Sequence, residues 1–517
     1  MGRGGQETAT EAGIGRRQIA DSDRDRAADW RQRTRAGLAA LPWPEGAELY
    51  EVGGSIRDEL LGREAKDLDV AVCGVGIDEL LEVAGHAGAA QPLEVAGRLV
   101  GVRLQAPFTP KEGVELALAR TESSTGSGHT DFAINTDREI TIEDDLARRD
   151  FTCNAIARRI NADGTPGELI DPYGGAEDLR NGVLRQTNPD ALAEDPLRIL
   201  RGLVRVARDD LRPDEQTDSA MRANAAGIRH LSGERVYEQM NKLLVADGAA
   251  DALRLARDQG VLAETVPELE PAIGFDQESR YHEMTVDEHS LTVLQRACEN
   301  EAPLEVRWAA LLHDSGKPAS AFRGKDGRLH FYDNKDDPDQ RAHEEEGADL
   351  ARQALRRLRA DARTRERVAY LVRHHMFSDD NGFEELGERK RAERARRFLS
   401  RYGREHAEDL LMLRRCDRTG KFRGAPDPKI LAGLESFERE VRAQWSSPVT
   451  LKELEIGGRE LTELGLRGPD VGWALDKLLS FVIRDPARNT PERLREQAYQ
   501  LARSRNSQAA EAEPQAA

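Results

Sequence analysis

The sequence predicts an α+β protein, with a small mixed-sheet domain first and an all-helical remainder after it. Three observations predict this. Short β-rich runs at residues 49–52, 68–72, 99–104 and 114–119 alternate with glycine turns inside residues 48–170. From Asp190 onward Leu and Ala recur at helical spacing, with Arg and Glu on the opposite face. At 517 residues the chain is also too long for one core, given a prior of about 150 residues per domain.

Composition narrows the class. Apolar residues make up 38% of the chain, enough for packed cores, while charged residues reach 33% and the net charge is −18. No apolar run approaches the roughly 20 residues of a membrane span, and the start lacks the order of a secretory signal, so no membrane partner is expected. Cys73, Cys153, Cys298 and Cys416 are far apart, without a CxxC pair, and read as buried thiols of a reducing cytoplasm. The acid excess argues against a protein gripping RNA over its whole surface, yet it permits a local basic face; a solvated, salt-tolerant surface explains it equally well.

The periodicity breaks near Pro267, Gly324 and Pro426. The expected organisation is therefore disorder in residues 1–30, a sheet domain in 31–187, a helical neck and body in 188–270, a second helical domain in 271–425, a helical tail in 426–503 and disorder in 504–517.

Within the sheet domain, Tyr50-Glu51-Val52-Gly53-Gly54-Ser55-Ile56-Arg57-Asp58 reads as a strand, a double-glycine turn and a helix start. Gly53 and Gly54 allow a close backbone approach that side chains would block, and Arg57 stands beside an anion-friendly helix start. Then comes Lys66-Asp67-Leu68-Asp69-Val70. On a strand, positions i and i+2 share a face, so Asp67 and Asp69 present two carboxylates that call for a cation, and oxygen ligands suit Mg²⁺. Glu115, on the run Val114-Glu115-Leu116-Ala117, supplies a third oxygen. A lone DxD is more often a solvated strand edge.

This one is not alone. Arg148-Arg149-Asp150-Phe151-Thr152-Cys153-Asn154-Ala155, Asp171-Pro172-Tyr173-Gly174-Gly175, Glu194-Asp195-Pro196-Leu197-Arg198-Ile199-Leu200-Arg201 and Ser232-Gly233-Glu234-Arg235 follow in order. GGxxRD, DxD, RRDxxxNA, DPYGG and EDPLRxLR in this order resemble the tRNA nucleotidyltransferase/poly(A) polymerase family, and the stretch 117–149 is similar to its multifunctional bacterial branch. The resemblance implies a nucleotidyltransferase head that transfers CMP and AMP from CTP and ATP to the 3′ end of tRNA. It implies Mg²⁺ held by Asp67 and Asp69, with Asp150 and Asn154 near the ribose and Arg149 near the phosphates. Asp195 and Arg198 would face the base, a carboxylate acceptor and a guanidinium donor being able to match cytosine or adenine. Arg120 and Arg201 complete the implied nucleotide-binding set.

The helical half carries a second constellation: Tyr281-His282, Glu288-His289, Leu312-His313-Asp314-Ser315-Gly316-Lys317, His343, His374-His375 and Asp417. Imidazole and carboxylate together bind transition metals. The order H…HD…D resembles the HD phosphohydrolase family. That resemblance implies His289, His313, Asp314 and Asp417 as ligands of an ion such as Ni²⁺ or Mn²⁺, with His343 and His375 as ligands of a second. Which of His374 and His375 faces the metal is open at this stage. Residues 451–489 look like an RNA-contacting tail and equally like a module closing the fold. Two rival functions share these motifs: a poly(A) polymerase, and an HD phosphohydrolase whose head only binds RNA.

Overall fold

The computed structural model describes residues 21–65, 67–95, 97–105, 114–124, 132–278, 283–333, 337, 340–421, 424 and 427–512. These fall into two compact units, Met1–Gly202 with Leu211–His230, and Leu203–Asp210 with Leu231–Ala517.

The first unit opens with α1 (Asp21–Ala39), β1 (Glu48–Val52), α2 (Gly54–Leu60), β2 (Leu68–Cys73), α3 (Ile77–Ala87), β3 (Ala90–Val95), β4 (Arg98–Leu104) and β5 (Val114–Leu118). It continues through β6 (Thr121–Ser124), β7 (Phe132–Asn135), α4 (Ile142–Ala147), β8 (Ala157–Ile160), β9 (Pro166–Ile170), α5 (Gly175–Asn181), α6 (Ala191–Glu194), the first residues of α7 (Leu197–Asp209, of which 203–209 group with the second unit) and α8 (Glu215–Asn224). The main sheet has seven strands in the order β3-β4-β5-β2-β1-β8-β9. Only β2 and β5 pair in parallel, so the sheet is mixed, as the sequence predicts. Strands β3, β8 and β9 escape the sequence reading because their alternation is broken by Pro92, by Arg158-Arg159 and by Gly167.

Period-two alternation sorts the β2 side chains between two cores. Leu68, Val70 and Val72 join Leu116, Leu118, Leu80 and Ala84 on one face; Ala71 and Cys73 join Tyr50, Val52, Ile142, Leu146 and Ala155 on the other. Asp69 is in phase with Ala71 and Cys73, and α4 covers that face.

Three expectations need correction. Residues 21–30 are not without structure: they begin α1, whose Leu38 is fully buried, whose Trp30 packs on the sheet core, and whose Arg31 and Arg35 pair with the buried Glu51. Apolar periodicity could not reveal a helix anchored through arginines. Residues 1–20 lie outside the described residues. The residues expected as neck and body, 188–270, divide between the two units: 188–202 and 211–230 group with the sheet, 203–210 and 231–270 with the helical unit. Arg185 holds Asp214 at 2.5 Å, and the Gln186 N–H donates to Thr217 Oγ1 at 3.0 Å. Finally, the helix at the C-terminus, α22 below, runs to Ala512, where disorder from 504 is expected. Its Leu494, Ala498 and Ala502 stripe is buried, and no helix breaker intervenes before Pro514.

The second unit contains α9 (Gly233–Leu244), α10 (Ala249–Asp258), α11 (Val261–Thr265), α12 (Val286–Glu299), α13 (Leu304–Leu312), α14 (Lys317–Ser320) and α15 (His343–Arg357). After them come α16 (Ala362–His374), α17 (Glu388–Tyr402), α18 (Arg404–Thr419), α19 (Pro428–Ala443), α20 (Gly458–Glu463), α21 (Pro469–Arg484) and α22 (Pro491–Ala512). It is helical but not purely so: Phe322–Arg323 and Leu329–His330 form a two-stranded ribbon across the expected break at Gly324. Phe437 of α19 packs against Phe377, Phe383 and Phe398, so α19 belongs to the core around α17 rather than to the tail. The tail's own core starts at Leu454 and closes through α20, α21 and α22.

Candidate nucleotide site and candidate metal centre

At the start of β2, on the face that α4 covers further along, Asp69 is the register partner of Glu115 on β5, and Glu115 in turn opposes Arg103 on β4, with which it forms an ion pair. Asp67 lies one residue before β2 and is exposed; Lys66 lies outside the described residues. Burial, then the charges of Asp67 and Glu115, push Asp69 up to about 7. Carboxylates that repel one another in this way are the kind of oxygen-donor group whose charge a cation offsets.

Around this edge the motif residues converge through hydrogen bonds. Gly53 sits at φ 70°, and a Cβ there would lie 2.8 Å from Arg149 Nη1. Gly54, next to it, has no left-handed φ. Arg149 Nη1 donates to the Asn154 carbonyl at 3.3 Å and Nη2 to Asp145 at 2.9 Å, and its charge opposes the upward push on Asp69. Arg57 Nη1 donates to Asn154 Oδ1 at 2.6 Å, and Asn154 Nδ2 to Asp150 Oδ1 at 2.9 Å. Arg201 Nε closes on Asp150 Oδ2 at 2.8 Å. Burial raises the Asp150 carboxyl, but Arg201 and Asn154 outweigh it and hold it low.

Two motif blocks turn out to brace this network. In DPYGG, Asp171 accepts from the Gly175 and Ala176 N–H groups at 2.7 and 2.9 Å, and a Cβ at Gly175 would overlap the Thr152 carbonyl. After EDPLRILR, a Cβ at Gly202 would lie 2.7 Å from the buried Phe151 ring. The glycines thus let α5 and α7 press against the RRDFTCN turn. Gly233, in the fourth block, plays the same part in the second unit: a Cβ there would overlap the Arg357 carbonyl.

The remaining candidates stand apart from this edge. Arg198 is buried, donating to the Ala191 carbonyl at 3.2 Å and the Arg148 carbonyl at 3.0 Å, with Glu194 at 3.6 Å. Asp195 Oδ1 accepts from the Leu197 N–H at 3.1 Å at the start of α7. Arg120 Nε donates to Glu122 at 2.8 Å; burial depresses its guanidinium pKa, with the neighbouring Arg148 adding to the effect.

In the helical unit the six expected ligands meet. His289 (α12), His313 and Asp314 (after α13), His343 (start of α15), His375 (after α16) and Asp417 (α18) are all buried. His289 Nε2 lies 3.3 Å from Asp417 Oδ1, 3.5 Å from Asp314 Oδ2 and 3.3 Å from His313 Nε2. His343 and His375 turn Nε2 to Asp314 Oδ1 at 3.6 and 3.7 Å. Asp314 is the shared member of two sets, His289-His313-Asp314 and Asp314-His343-His375, each closing within 4.8 Å. His375 is the inward member of its pair; His374 packs instead at a tilt on Tyr370 and edge-on to Tyr402.

Each imidazole is held by its other nitrogen. Nδ1 of His289, His313, His343 and His375 faces the carbonyls of Gly420, Ala310, Phe331 and Val372 at 3.3, 2.9, 2.9 and 2.6 Å. A proton on Nδ1 leaves Nε2 a lone pair aimed at the centre, the arrangement a metal-binding histidine needs. His343 Nε2 is buried without a hydrogen-bond partner. Burial, then His313 and His343, drive His375 down to about 3, and burial lowers His289 and His343 as well. Burial also disfavours charge on His313, but Asp314 beside it reverses the balance and raises it. Three imidazoles kept neutral by burial, with His313 held against Asp314, surround a buried carboxylate and fit a divalent ion. Gly316 allows the loop this shape: a Cβ there would overlap the His343 carbonyl and lie 2.5 Å from the Gly347 nitrogen.

The centre opens into a cavity of about 580 Å³ walled by Lys317, Arg414, Arg418 and Lys421, with the exposed Tyr332 and Met376 also lining it. Lys317 Nζ lies 2.6 Å from both Asp314 Oδ2 and Gln277 Oε1. The sequence reading missed this cationic wall. Its signal is the spacing of Arg414, Asp417, Arg418 and Lys421, one face of α18 and its continuation. Tyr281 and His282 lie outside the described residues.

Three family models match in chain order: the Poly A polymerase head domain over residues 49–185, the probable RNA and SrmB-binding site of polymerase A over 210–273, and the HD domain over 286–419. A multifunctional CCA protein of Pseudomonas aeruginosa (strain PAO1) is 32% identical over 83% of this chain and 96% of its own length. The chain belongs to the multifunctional CCA protein family. Further members of the family are similar to it: that of Azoarcus sp. (strain BH72) is 40% identical over 63% of this chain and 73% of its own, and that of Halorhodospira halophila 34% over 83% and 94%. The fold is similar to the crystal structure of the Bacillus stearothermophilus CCA-adding enzyme in complex with CTP, with TM-score 0.62 and 22% identity over 95% of this chain and 100% of that one. Nucleotidyltransferase and HD domains alike use divalent metals, and among the described residues no helix is long and apolar enough to cross a membrane.

Proposed function

We propose that this chain adds C, C and A to the 3′ end of tRNA, taking CMP and AMP from CTP and ATP and releasing pyrophosphate. The reading is carried by one observation: Arg57, Arg149, Asp150, Asn154 and Arg201 are joined by hydrogen bonds and ion pairs, with Gly53 closely approached by Arg149, beside the Asp69 and Glu115 edge. In the transfer, the terminal 3′-oxygen attacks the α-phosphorus and the bond to pyrophosphate breaks. Positioning and charge neutralisation carry such a reaction. Asp67 and Asp69, with Glu115, would hold Mg²⁺, which neutralises developing charge. Arg149 would meet the phosphates, Asp150 and Asn154 the ribose, and Arg57 orients Asn154. Asp195 and Arg198 would read the base, which requires Arg198 to exchange a backbone carbonyl for it. Arg120 acts from behind, through Glu122. A reducing cytoplasm suits the four free, buried cysteines.

The buried imidazole cluster supports a second activity, hydrolysis of a phosphate ester. His289, His313, Asp314 and Asp417, with His343 and His375, would hold Ni²⁺ or Mn²⁺, since imidazole prefers such ions to Mg²⁺. The metal lowers the pKa of a bound water; Lys317 and the α18 cations would hold the phosphate. For the boundaries, the head expected at 31–187 would begin with α1 at Asp21, and the metal domain expected at 271–425 would extend to include α19.

The deciding assay uses tRNA lacking its CCA end. CTP alone is expected to add two C residues and CTP with ATP to complete the A; elongation in ATP alone would establish the poly(A) polymerase instead.

A further inference from the structure

We propose that Arg414, fastened by Asp380, is a positioning residue that keeps the Asp417 carboxylate turned to the metal centre. The inference rests on the reading of the helical site as a metal centre. Arg414 stands one turn before Asp417 on α18. Its Nε and Nη2 meet the two oxygens of Asp380, each at 3.2 Å, as a fork on a carboxylate. Its Nη1 lies 3.5 Å from Asp417 Oδ2. The other oxygen of Asp417, Oδ1, is the one 3.3 Å from His289 Nε2. One oxygen is therefore tethered and the other presented.

The surroundings make this tether necessary. Asp380, Arg414 and Asp417 are all buried, and the Phe377 ring lies 5.3 Å from the guanidinium. Without the cation, Asp380 and Asp417 would both be buried carboxylates lacking the guanidinium they share, and Asp417 would lose the tether on Oδ2 and keep only its His289 contact on Oδ1. Arg418 stands 3.8 Å from Asp380, too long a reach to replace the fork. A lysine would supply charge but no fork. Groups that orient a metal's ligands from behind commonly matter about 10–100-fold in metal affinity.

Arg414 also lines the cavity, so a direct phosphate contact is the alternative. The two roles separate by readout: orientation of Asp417 moves metal affinity without any substrate present, and a phosphate contact moves KM alone. The experiment is equilibrium dialysis of the full chain against Ni²⁺ in excess Mg²⁺, which occupies the oxygen-only head site, with circular dichroism checking the fold. Arg414→Gln and Asp380→Asn are each expected to weaken Ni²⁺ retention by about 10–100-fold, and Arg414→Lys to leave most of that loss in place. Asp380→Asn keeps the shape of the side chain and does not line the cavity, so it carries the test if Arg414→Gln fails to fold. Undiminished Ni²⁺ retention in Asp380→Asn, or full recovery in Arg414→Lys, overturns the inference while leaving the metal centre standing. Absence of Ni²⁺ retention by the unmodified chain overturns the metal reading and the inference with it.

Discussion

The two candidate centres solve opposite problems. In the head, oxygen ligands sit on a partly open strand edge, where Asp67, Asp69 and Glu115 repel one another and Asp69 keeps a proton up to a pH of about 7. In the helical unit, four imidazoles are aimed by backbone carbonyls around a buried Asp314. The head site thus needs its ion to offset repulsion, whereas in the HD site the carboxylates already face imidazoles and the Lys317 and Arg414 cations before an ion arrives. A transient, weakly held ion suits a site that must pass pyrophosphate out, and a caged one suits hydrolysis at a fixed water.

The contrast is broken most severely at Asp69. Asp69→Ala is expected to cut CMP incorporation by about 10³-fold or more, because metal charge stabilisation is worth several kcal/mol and each 1.4 kcal/mol is about tenfold. Near-normal incorporation of labelled CMP by this variant would remove Asp69 from the site.

The pH response should sharpen the same contrast. A raised carboxyl pKa means that the folded, ion-free head binds a proton which the unfolded chain has already lost. Stability without Mg²⁺ should therefore fall as pH rises from about 4 through about 7, and Mg²⁺ should restore it. Below pH about 7 the ion must displace that proton, so half-saturating Mg²⁺ should rise by about tenfold per pH unit and flatten above it. A titration of incorporation against Mg²⁺ that is flat from pH 5.5 to 8 would contradict this.

Arg198→Ala probes the base-reading role with a smaller effect. Its loss leaves a buried carbonyl and a partly buried one without this donor, at about 1–3 kcal/mol of stability, and should raise UTP or GTP misincorporation relative to CTP and ATP. Equal slowing of every nucleotide, with the lower melting point, would make Arg198 a brace only.

Gly316→Ala carries the smallest expected change. Crowding the His343 carbonyl should cost about 1–3 kcal/mol in the helical unit, read as a lower melting temperature and weaker Ni²⁺ retention. An unchanged melt would mean that the loop yields easily.

Much of both sites was legible in the chain because the chemistry is carried by short motifs on regular elements. Asp69 and Glu115 were marked as candidates by their strand runs, and the six buried residues of the helical centre through the resemblance that their H…HD…D order carries. What stayed hidden depends on pairing between distant segments. The Arg103 contact to Glu115 needs the β4 register, and α1 is held through Arg31 and Arg35 on Glu51. Asp171, Gly175 and Gly202 look like site residues in a motif but brace it through backbone approach, which spacing does not reveal. His375 could be told from His374 only once the end of α16 set which ring turned inward.

The central claim is that one chain carries two separable metal centres of opposite design. The most direct test is the product ladder of a His313→Ala, Asp314→Ala double variant on tRNA lacking its CCA end, supplied with CTP, ATP and Mg²⁺. The account predicts the full C, C, A ladder at close to the unmodified rate from a protein that no longer retains Ni²⁺ on dialysis. Loss of the ladder from the folded variant, or Ni²⁺ retention equal to that of the unmodified chain, would contradict it.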